Sequence, residues 1–267
     1  MHTITDQEFA HFQRFIYDAA GITLSSAKKA LVIGRLARRL DHCQVSNYSE
    51  YFKLLESGKA PQEVQTAVDL LTTNETYFFR EQRHFDFLRA EIAKRERGPL
   101  PLRIWSAAGS TGEEAYSIAM LLEDCYAGRP WEIIASDIST RVLHKARAGH
   151  YPMQRATHVP PNYLQRFCLK GEGSHEGTLL IQRSLRDKVK FLQVNLNATL
   201  PSLGMFDFVF LRNVLIYFNA DTKRKVIARV LSAVRPDGFL LIGHSESLHE
   251  ISEDVQSIAP SIYRRPR

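Results

Sequence analysis

The spacing of hydrophobic residues changes character near residue 100. In the first part of the chain, apolar residues recur at helical intervals, as Phe9, Phe12 and Phe15 do. In the rest, short apolar runs alternate with segments of helical periodicity. The pattern therefore predicts an all-α N-terminal domain over residues 1–83 and an α/β domain over residues 84–267, in which helices cover both faces of a parallel sheet.

Turn and capping residues divide the two regions into elements. In the first region Thr5 and Gly21 bound one helix, and the pattern predicts others over residues 25–41, 48–55 and 61–71, with a further helix over 84–95 at the start of the second region. In the second it predicts strands over residues 102–106, 131–136, 188–194, 206–211 and 239–243, a turn at 235–238, and weak strands near 255–258 and 261–264. Residues 150–187 interrupt this alternation. Their short β-prone runs on either side of a polar stretch predict a small inserted antiparallel β-subdomain.

Composition narrows the class of protein without choosing a function. Of the 267 residues 44% are hydrophobic and 24% charged, and no run approaches the roughly 18 apolar residues of a transmembrane segment. The three cysteines lie far apart without metal-ligand spacing, which favours reduced thiols in a cytoplasmic protein and predicts no metal site. The net charge of +6 indicates an acidic partner: nucleic acid, a membrane surface or an acidic protein.

A loop of small residues follows the first predicted strand. Residues 107–112 carry almost no side-chain bulk, so a ligand can approach the backbone, and Thr111 with Glu114 has the spacing of a capping box. Phosphate-binding glycine motifs are missing, and Glu113 and Glu114 would repel a phosphate at the helix start. The loop suits a nucleoside with a positive charge, as in S-adenosylmethionine. A turn that only packs strand on helix is an equal alternative at this point.

Polar residues follow the next strands. Asp137 ends the second strand, where nucleoside-binding folds place an acid that accepts both ribose hydroxyls. Asn195 ends the third and can offer its amide to an adenine edge, with Leu196 against the ring. An Asp or Asn that only makes a turn is the alternative for each. Residues 211–218, after the fourth strand, contain neither an Asn/Asp-Pro-Pro-aromatic box nor a Pro-Cys nucleophile, which counts against nucleic acid as substrate.

Six motifs follow one another along nearly the whole chain. They are Thr-Asn-Glu-Thr-Tyr-Phe-Phe-Arg (73–80), Trp-Ser-Ala-Ala-Gly-Ser-Thr-Gly-Glu-Glu (105–114), Ser-Asp-Ile (136–138), Val-Asn-Leu (194–196), Arg-Asn-Val-Leu-Ile-Tyr (212–217) and Gly-His-Ser-Glu-Ser (243–247). Together they resemble the chemoreceptor glutamate methyltransferases, the CheR family. The resemblance implies a Rossmann-like class I S-adenosylmethionine-dependent methyltransferase fold. It also implies an enzyme that methylates glutamate side chains of bacterial chemoreceptors, forming methyl esters for sensory adaptation in chemotaxis.

The same resemblance implies roles for individual residues. Those expected to bind the cofactor come from between the domains, from the loop and from the strand ends: Asn74, Thr76, Arg80, Ala107, Glu113, Asp137, Asn195, Leu196, Arg212 and Asn213. Arg80 and Tyr217 would lie nearest the transferred methyl group as catalytic residues. A glutamate carboxylate, with an ordinary pKa of about 4.3, is ionised at neutral pH and needs no general base. Arg80 is therefore expected to orient the carboxylate without binding it tightly.

A basic stripe marks the second predicted helix. Three of its members lie within about 40° of one another around the helix and the fourth flanks them: Lys28, Arg35, Arg39 and Arg38. Such a stripe is usually a solvated face. However, Asp41 is the only acid among residues 21–49, which favours docking on an acidic surface. The resemblance implies that this helix faces the negatively charged helical bundle of the receptor.

The polar loop of the predicted insertion carries Gly171 and Gly173. It resembles the loop of family members that bind a receptor's C-terminal pentapeptide, and an exposed strand edge can capture a short peptide.

Two other functions stay open. A nucleic-acid methyltransferase would use the basic domain on phosphates and bind in a salt-sensitive way. A non-catalytic S-adenosylmethionine-binding adaptor would regulate signalling through the same domain, although the presence of Arg80 and Tyr217 argues against it.

Overall fold

Helices alone build the first part of the chain. The computed structural model describes residues 3–96 and 100–267, and within them five α-helices precede the first strand. They are α1 (Asp6–Ala20), α2 (Lys29–His42), α3 (Tyr48–Glu56), α4 (Pro61–Leu71) and α5 (Gln82–Lys94). Thr5 and Glu8 form a capping box at the start of α1, and Gly21 ends this helix at φ 73°, a left-handed conformation that favours glycine. Local chemistry therefore sets these helix ends.

The aromatic ring of Phe12 lies at the centre of the helical region. It is fully buried, packs edge-on against Tyr48 with ring centres 6.0 Å apart, and stacks near Tyr51 at 6.2 Å. The same apolar cluster extends to Trp105 and Val209 of the sheet. Helices α1–α4 thus share a continuous core with the sheet, and this contact positions the end of α4 above the strand ends.

A seven-stranded sheet forms the second region, in the order β6-β2-β1-β7-β8-β10-β9. Its strands are β1 (Leu102–Ser106), β2 (Trp131–Asp137), β6 (Val189–Gln193), β7 (Phe206–Leu211), β8 (Val234–Ile242), β9 (Gln256–Ala259) and β10 (Ile262–Arg264). The helices α6 (Glu113–Cys125), α7 (Thr140–Ala148) and α10 (Ala220–Ser232) connect the parallel strands. This arrangement confirms the predicted α/β class.

The sheet is mixed, so the expectation of a parallel sheet needs correction. Strand β10 pairs antiparallel with both β8 and β9, because the chain reverses directly at Ser261 instead of crossing over through a helix. The predicted turn at 235–238 is also wrong, since those residues lie within β8, where the pairing with β7 shifts register. A bulge accommodates Pro236 and Gly238 there without ending the strand.

The insertion forms a second, three-stranded antiparallel sheet in the order β3-β5-β4. Its elements are β3 (His150–Pro152), α8 (Pro161–Phe167), β4 (Cys168–Lys170), β5 (Thr178–Ile181) and α9 (Arg183–Arg186). It packs on the face of the main sheet that α5 and α6 cover, opposite the helices α1–α4. The predicted antiparallel subdomain is thereby confirmed.

Within the part of the chain that the structure describes, no helix combines the length and the hydropathy that a membrane crossing requires.

Candidate functional site

A cavity of about 880 Å³, its open mouth included, lies at the carboxyl ends of β1, β2, β6 and β7. In open α/β sheets ligands bind at this edge. Its walls contain all of the predicted cofactor-binding and catalytic residues except Glu113: Asn74, Thr76, Arg80, Ala107, Asp137, Asn195, Leu196, Arg212, Asn213 and Tyr217. Residues far apart in sequence therefore converge on one pocket.

The small-residue loop after β1 is held by backbone contacts on both sides. The amide of Ala107 donates to the carbonyl of Phe210 at 2.8 Å, and that of Gly109 donates to Ser136 at 2.8 Å. A Cβ atom on Gly109 would lie 2.9 Å from the Ser106 hydroxyl, so a larger residue would push the loop out of place. The loop is thus a rigid wall.

Asp137 is the acidic group of this wall. One carboxylate oxygen accepts the Ser110 amide at 3.0 Å and the other accepts the Ser139 amide at 2.9 Å. Burial raises the pKa of Asp137 to about 6, although these backbone N–H groups favour the charged form. Each oxygen keeps a lone pair, so an ionised Asp137 could accept hydroxyl groups of a ribose.

Asn195 has a double role that its strand-end position did not reveal. Its amide nitrogen donates to the carbonyl of Ala19 at 2.7 Å, and its oxygen accepts the Asn197 amide at 2.9 Å. The alternative turn interaction is therefore present. Asn195 ties the end of α1 to the sheet edge while it lines the pocket beside Leu196.

Arg212 is the centre of a buried charge cluster at the other end of the pocket. Its side chain is 2% exposed and lies 2.8 Å from a Glu114 oxygen and 3.1 Å from a Glu81 oxygen. Its guanidinium also donates to the Arg80 carbonyl. Burial raises the pKa of Glu114 despite the neighbouring guanidinium. For Glu81 burial acts in the same direction, but Arg212 and Asn213 outweigh it and the pKa is lowered.

Glu113 takes a different place from the one expected. It is fully buried and points to Thr111 and Arg155 rather than into the cavity, whose wall instead contains Glu114. The reason is geometric, because Gly112 caps α6 without a side-chain bond and the two glutamates then leave the helix start in different directions. The predicted capping box of Thr111 and Glu114 is therefore wrong, and Glu114 is a charged pocket residue that sequence reasoning missed.

The segment between α4 and α5 closes the pocket from the helical side. The carbonyl of Asn74 accepts the Ser110 hydroxyl at 3.0 Å, which joins this segment to the loop. Arg80 donates to the Glu75 carbonyl at 3.1 Å, and its guanidinium lies 5.7 Å from the Tyr77 ring centre. Arg80 pairs with no carboxylate among the described residues. Its charge is therefore available to a carboxylate that enters the pocket.

Left-handed backbone occurs in the cavity wall and beside it. Ser110 and Asn213 of the wall have φ 49° and 56°, and Phe79 and Glu81, on either side of Arg80, have φ 54° and 61°. Such conformations persist only where the surrounding contacts enforce them, and they are common at binding sites. Glu246 supplies part of that enforcement, since its carboxylate accepts the amides of Asn213 and Gly243 at 2.9 and 2.6 Å.

Glu81, His84 and His244 bring three ligand atoms within 4.8 Å of one another, a spacing that a metal ion could bridge. However, the Arg212 guanidinium already lies 3.1 Å from the Glu81 oxygen involved and would repel a cation. Burial and Arg212 lower the pKa of His84 to about 3, so His84 is neutral and adds no charge to the cluster. Because the guanidinium already pairs with Glu81, we assign that carboxylate to the orientation of Arg212 and not to a metal.

Part of the pocket wall could not be read from the sequence. Ala20 and Ile22 of the helical region line the cavity, and Ile22 forms an isolated antiparallel bridge with Phe218. A small apolar residue after a helix carries no signal for such a contact, because its partner lies almost two hundred residues away.

The predicted partner-binding residues lie outside the cavity. Lys28 and Arg38 are exposed, whereas Arg35 and Arg39 are half-buried. Arg35 donates to the carbonyls of Leu71 and Thr72 at 3.0 and 2.9 Å, and Arg39 donates to Glu63 at 2.9 Å. Two of the four basic residues thus hold the helical region together.

Gly171 and Gly173 lie in the turn between β4 and β5. A Cβ atom on Gly171 would clash with the His175 carbonyl oxygen, and Gly173 has φ 58°, a left-handed conformation that favours glycine. Both glycines are therefore required by the turn itself.

The pocket fits S-adenosylmethionine in its distribution of charge. Apolar residues such as Val194 and Leu196 lie at one end, after β6, the Asp137 carboxylate follows at the end of β2, and the Glu114 and Arg212 groups lie at the other end, after β1 and β7. The adenine ring, the ribose, and the amino and carboxylate groups of methionine need these three environments in that order.

Known proteins resemble this chain over nearly its whole length. Residues 7–72 match the family model "CheR methyltransferase, all-alpha domain", and residues 74–263 match "CheR methyltransferase, SAM binding domain". The chain is 40% identical to the "Chemotaxis protein methyltransferase" of Escherichia coli (strain K12), covering 97% of this chain and 91% of that protein. It is 41% identical to "Chemotaxis protein methyltransferase 2" of Pseudomonas aeruginosa, covering 97% and 93%.

Proposed function

The chain belongs to the CheR methyltransferase family and is an S-adenosylmethionine-dependent methyltransferase, and on that premise we propose that it esterifies glutamate side chains of chemoreceptors. The observation that carries the proposal is the Arg80 guanidinium beside Tyr217 at the pocket wall, which pairs with no carboxylate in the part of the chain that the structure describes. A cationic group without a carboxylate partner suits an acidic substrate side chain.

S-adenosylmethionine, when bound, supplies a methyl group on a positively charged sulfur, which an ionised carboxylate can accept without a general base. The work of the protein is therefore to position groups and exclude water. Arg80 is tethered by one backbone hydrogen bond and one ring contact, so it can orient an incoming carboxylate without a rigid grip.

Tyr217 is the second candidate at the reaction end. Burial raises the pKa of Tyr217, while a hydrogen bond with Thr73 and the charge of Arg80 act in the opposite direction. The net shift is upward, so the hydroxyl remains protonated at neutral pH and can donate to one oxygen of the substrate carboxylate. The other oxygen is then free to react.

The partner that we propose is the acidic helical bundle of a receptor, docked on the basic stripe of α2 and the turn before it. Its exposed members, Lys28 and Arg38, support this role. Arg35 contributes indirectly, because its bonds to Leu71 and Thr72 hold the segment that leads to Arg80.

We also propose that β4 of the insertion binds the C-terminal pentapeptide of receptors that carry one. Strand β4 has a single neighbour, β5, and its Leu169 is 52% exposed. A free edge with an exposed apolar side chain can add a short peptide strand. The role of Gly171 and Gly173 is then to form the turn beside that edge.

The decisive experiment is incubation of the protein with methyl-labelled S-adenosylmethionine and membranes that contain chemoreceptors. We expect base-labile label on receptor protein, since carboxylate methyl esters hydrolyse in base. Base-stable label, or label on added nucleic acid, would contradict the proposal. Cofactor binding with no transfer to any substrate would indicate an adaptor instead.

Charge reversal tests the docking surface. The double variant Lys28→Glu/Arg38→Glu should raise KM for receptor about tenfold with unchanged cofactor affinity, because each exposed pair contributes up to about 1 kcal/mol. Lys53→Glu, an exposed change on α3, is the matched control. An unchanged KM in the double variant would show that the stripe is only a solvated face.

A further inference from the structure

The insertion contacts the small-residue loop after β1 (residues 107–112) on the side that faces away from the pocket. The Tyr151 hydroxyl donates to the Thr111 carbonyl at 2.6 Å, and the bond is buried. Arg155 donates to the Thr111 hydroxyl at 3.1 Å and to a carboxylate oxygen of Glu113. Neither Arg155 nor Glu113 belongs to the cavity wall. Side chains of the insertion therefore support a loop of the main domain.

Glu113 depends on this support. Its side chain is 0% exposed, and among the described residues Arg155 is the only basic side chain that forms an ion pair with it. The Thr111 hydroxyl donates to the other Glu113 oxygen at 2.6 Å, so the three side chains form a closed ring of hydrogen bonds. A buried carboxylate that loses its partner carries a large desolvation cost, and the structure around it shifts to reduce that cost.

A shift of Thr111 would reach the pocket through its neighbour Ser110, which lines the cavity. Ser110 precedes Thr111, has φ 49°, donates its amide to Asp137 and donates its hydroxyl to the Asn74 carbonyl. Gly112, on the other side, leaves no spare room, because a Cβ atom there would lie 2.9 Å from the Tyr151 hydroxyl. The loop is thus packed between the insertion behind and the pocket in front.

We propose that Arg155 is a positioning residue for cofactor binding, acting through Glu113 and Thr111 on Ser110. It does not touch the reacting groups. Its loss should weaken the binding of S-adenosylmethionine and leave turnover at saturating cofactor nearly unchanged. The inference rests on the cofactor site of the proposed function and is independent of the methyl acceptor.

The test is the dissociation constant of S-adenosylmethionine, measured by calorimetry on the full-length Arg155→Met variant. We expect roughly tenfold weaker binding, since a hydrogen bond to a charged group contributes about 1.5 kcal/mol or more. The maximal rate with receptor should change less than twofold. Arg155→Lys keeps the charge without the planar fork and should recover part of the loss.

Arg166→Met provides a matched control. Arg166 also belongs to the insertion and also pairs with α6, but its partner Asp124 lies at the far end of that helix. Its side chain is 46% exposed, against 36% for Arg155. If both variants weakened cofactor binding equally, the effect would be general loosening of the insertion and the proposal would fail.

Removing the charge of Glu113, the ion-pair partner of Arg155, distinguishes a positioning role of Arg155 from damage to the fold. In Arg155→Met/Glu113→Gln the buried group is neutral, so much of the lost cofactor affinity should return. Unchanged affinity in Arg155→Met, or a fall in maximal rate with normal affinity, would overturn the inference. If the unmodified protein bound the cofactor normally but did not methylate receptors, that result would instead count against the proposed function.

Discussion

The two walls of the pocket differ in how firmly their polar side chains are held. On the wall built by strand ends, both oxygens of Asp137 accept backbone amides, and Arg212 contacts two carboxylates. On the wall built by the segment before α5, Arg80 has one hydrogen bond to a carbonyl. The fixed wall suits a cofactor that always binds in one way. The looser wall suits a large protein substrate whose side chain must enter and leave.

Arg212→Met should give the largest effect, on the fixed wall. Removing the guanidinium leaves Glu81 and Glu114 close together without a counter-charge, so we expect the free energy of unfolding to fall by about 3 kcal/mol. Urea denaturation measures it. Arg224→Met removes an exposed pair with Asp221 and should cost no more than about 0.5 kcal/mol. Equal losses in the two variants would erase the distinction between the walls.

Arg80→Ala tests the looser wall and should act on rate rather than stability. We expect turnover to fall roughly a hundredfold, because an interaction that orients the reacting carboxylate is lost. The unfolding midpoint should stay within error, since Arg80 supports little else. Arg83→Ala, three residues further on and exposed, serves as control. Near-normal turnover in Arg80→Ala would remove this residue from the catalytic role.

Asp137 should link cofactor binding to pH. With a pKa of about 6, raised by burial, its carboxyl is protonated below that pH and then accepts hydroxyl groups less well. Affinity for S-adenosylmethionine should therefore rise roughly tenfold between pH 5 and pH 7.5. The free energy of unfolding without cofactor should change in the opposite sense. The contribution of Asp137 to it is fully present below about pH 4 and is lost as the pH rises through about 6.

The Asp137→Asn variant isolates this effect. Its amide can accept the Ser139 N–H, but its NH₂ group would face the Ser110 N–H and leave two donors opposed. We expect cofactor affinity at pH 7.5 to fall at least tenfold and its dependence on pH to flatten. A pH profile as steep as that of the unmodified protein would assign the titration to another group.

Tyr217→Phe should give the smallest effect of the series. The variant removes the hydroxyl and keeps the ring, so we expect turnover to fall only a few-fold with unchanged cofactor affinity. Single-turnover rates at saturating S-adenosylmethionine provide the measurement. A loss larger than that in Arg80→Ala would make Tyr217 the main orienting group of the looser wall.

Residues with local signals were predicted well from the sequence. Thr5 and Gly21 bound α1 because capping depends on neighbours a few positions away. Asp137 and Asn195 were predicted to lie near one pocket because strand ends in an α/β fold meet at one edge, and the cavity wall contains both. The basic stripe was read from helical periodicity alone, which cannot reveal that Glu63 and the end of α4 already engage two of its four members.

The choice between Glu113 and Glu114 shows where such reasoning ends. Both follow Gly112, have the same chemistry and lie in the first turn of α6. A rotation of about 100° between consecutive helical residues sends one to Arg155 and the other to Arg212. The partners lie 42 and 98 residues away. The sequence by itself determined the family, the cofactor class and the order of the elements, because these depend on motifs and local patterns. Only the tertiary structure decided which carboxylate faces the pocket, because that depends on charges brought together by folding.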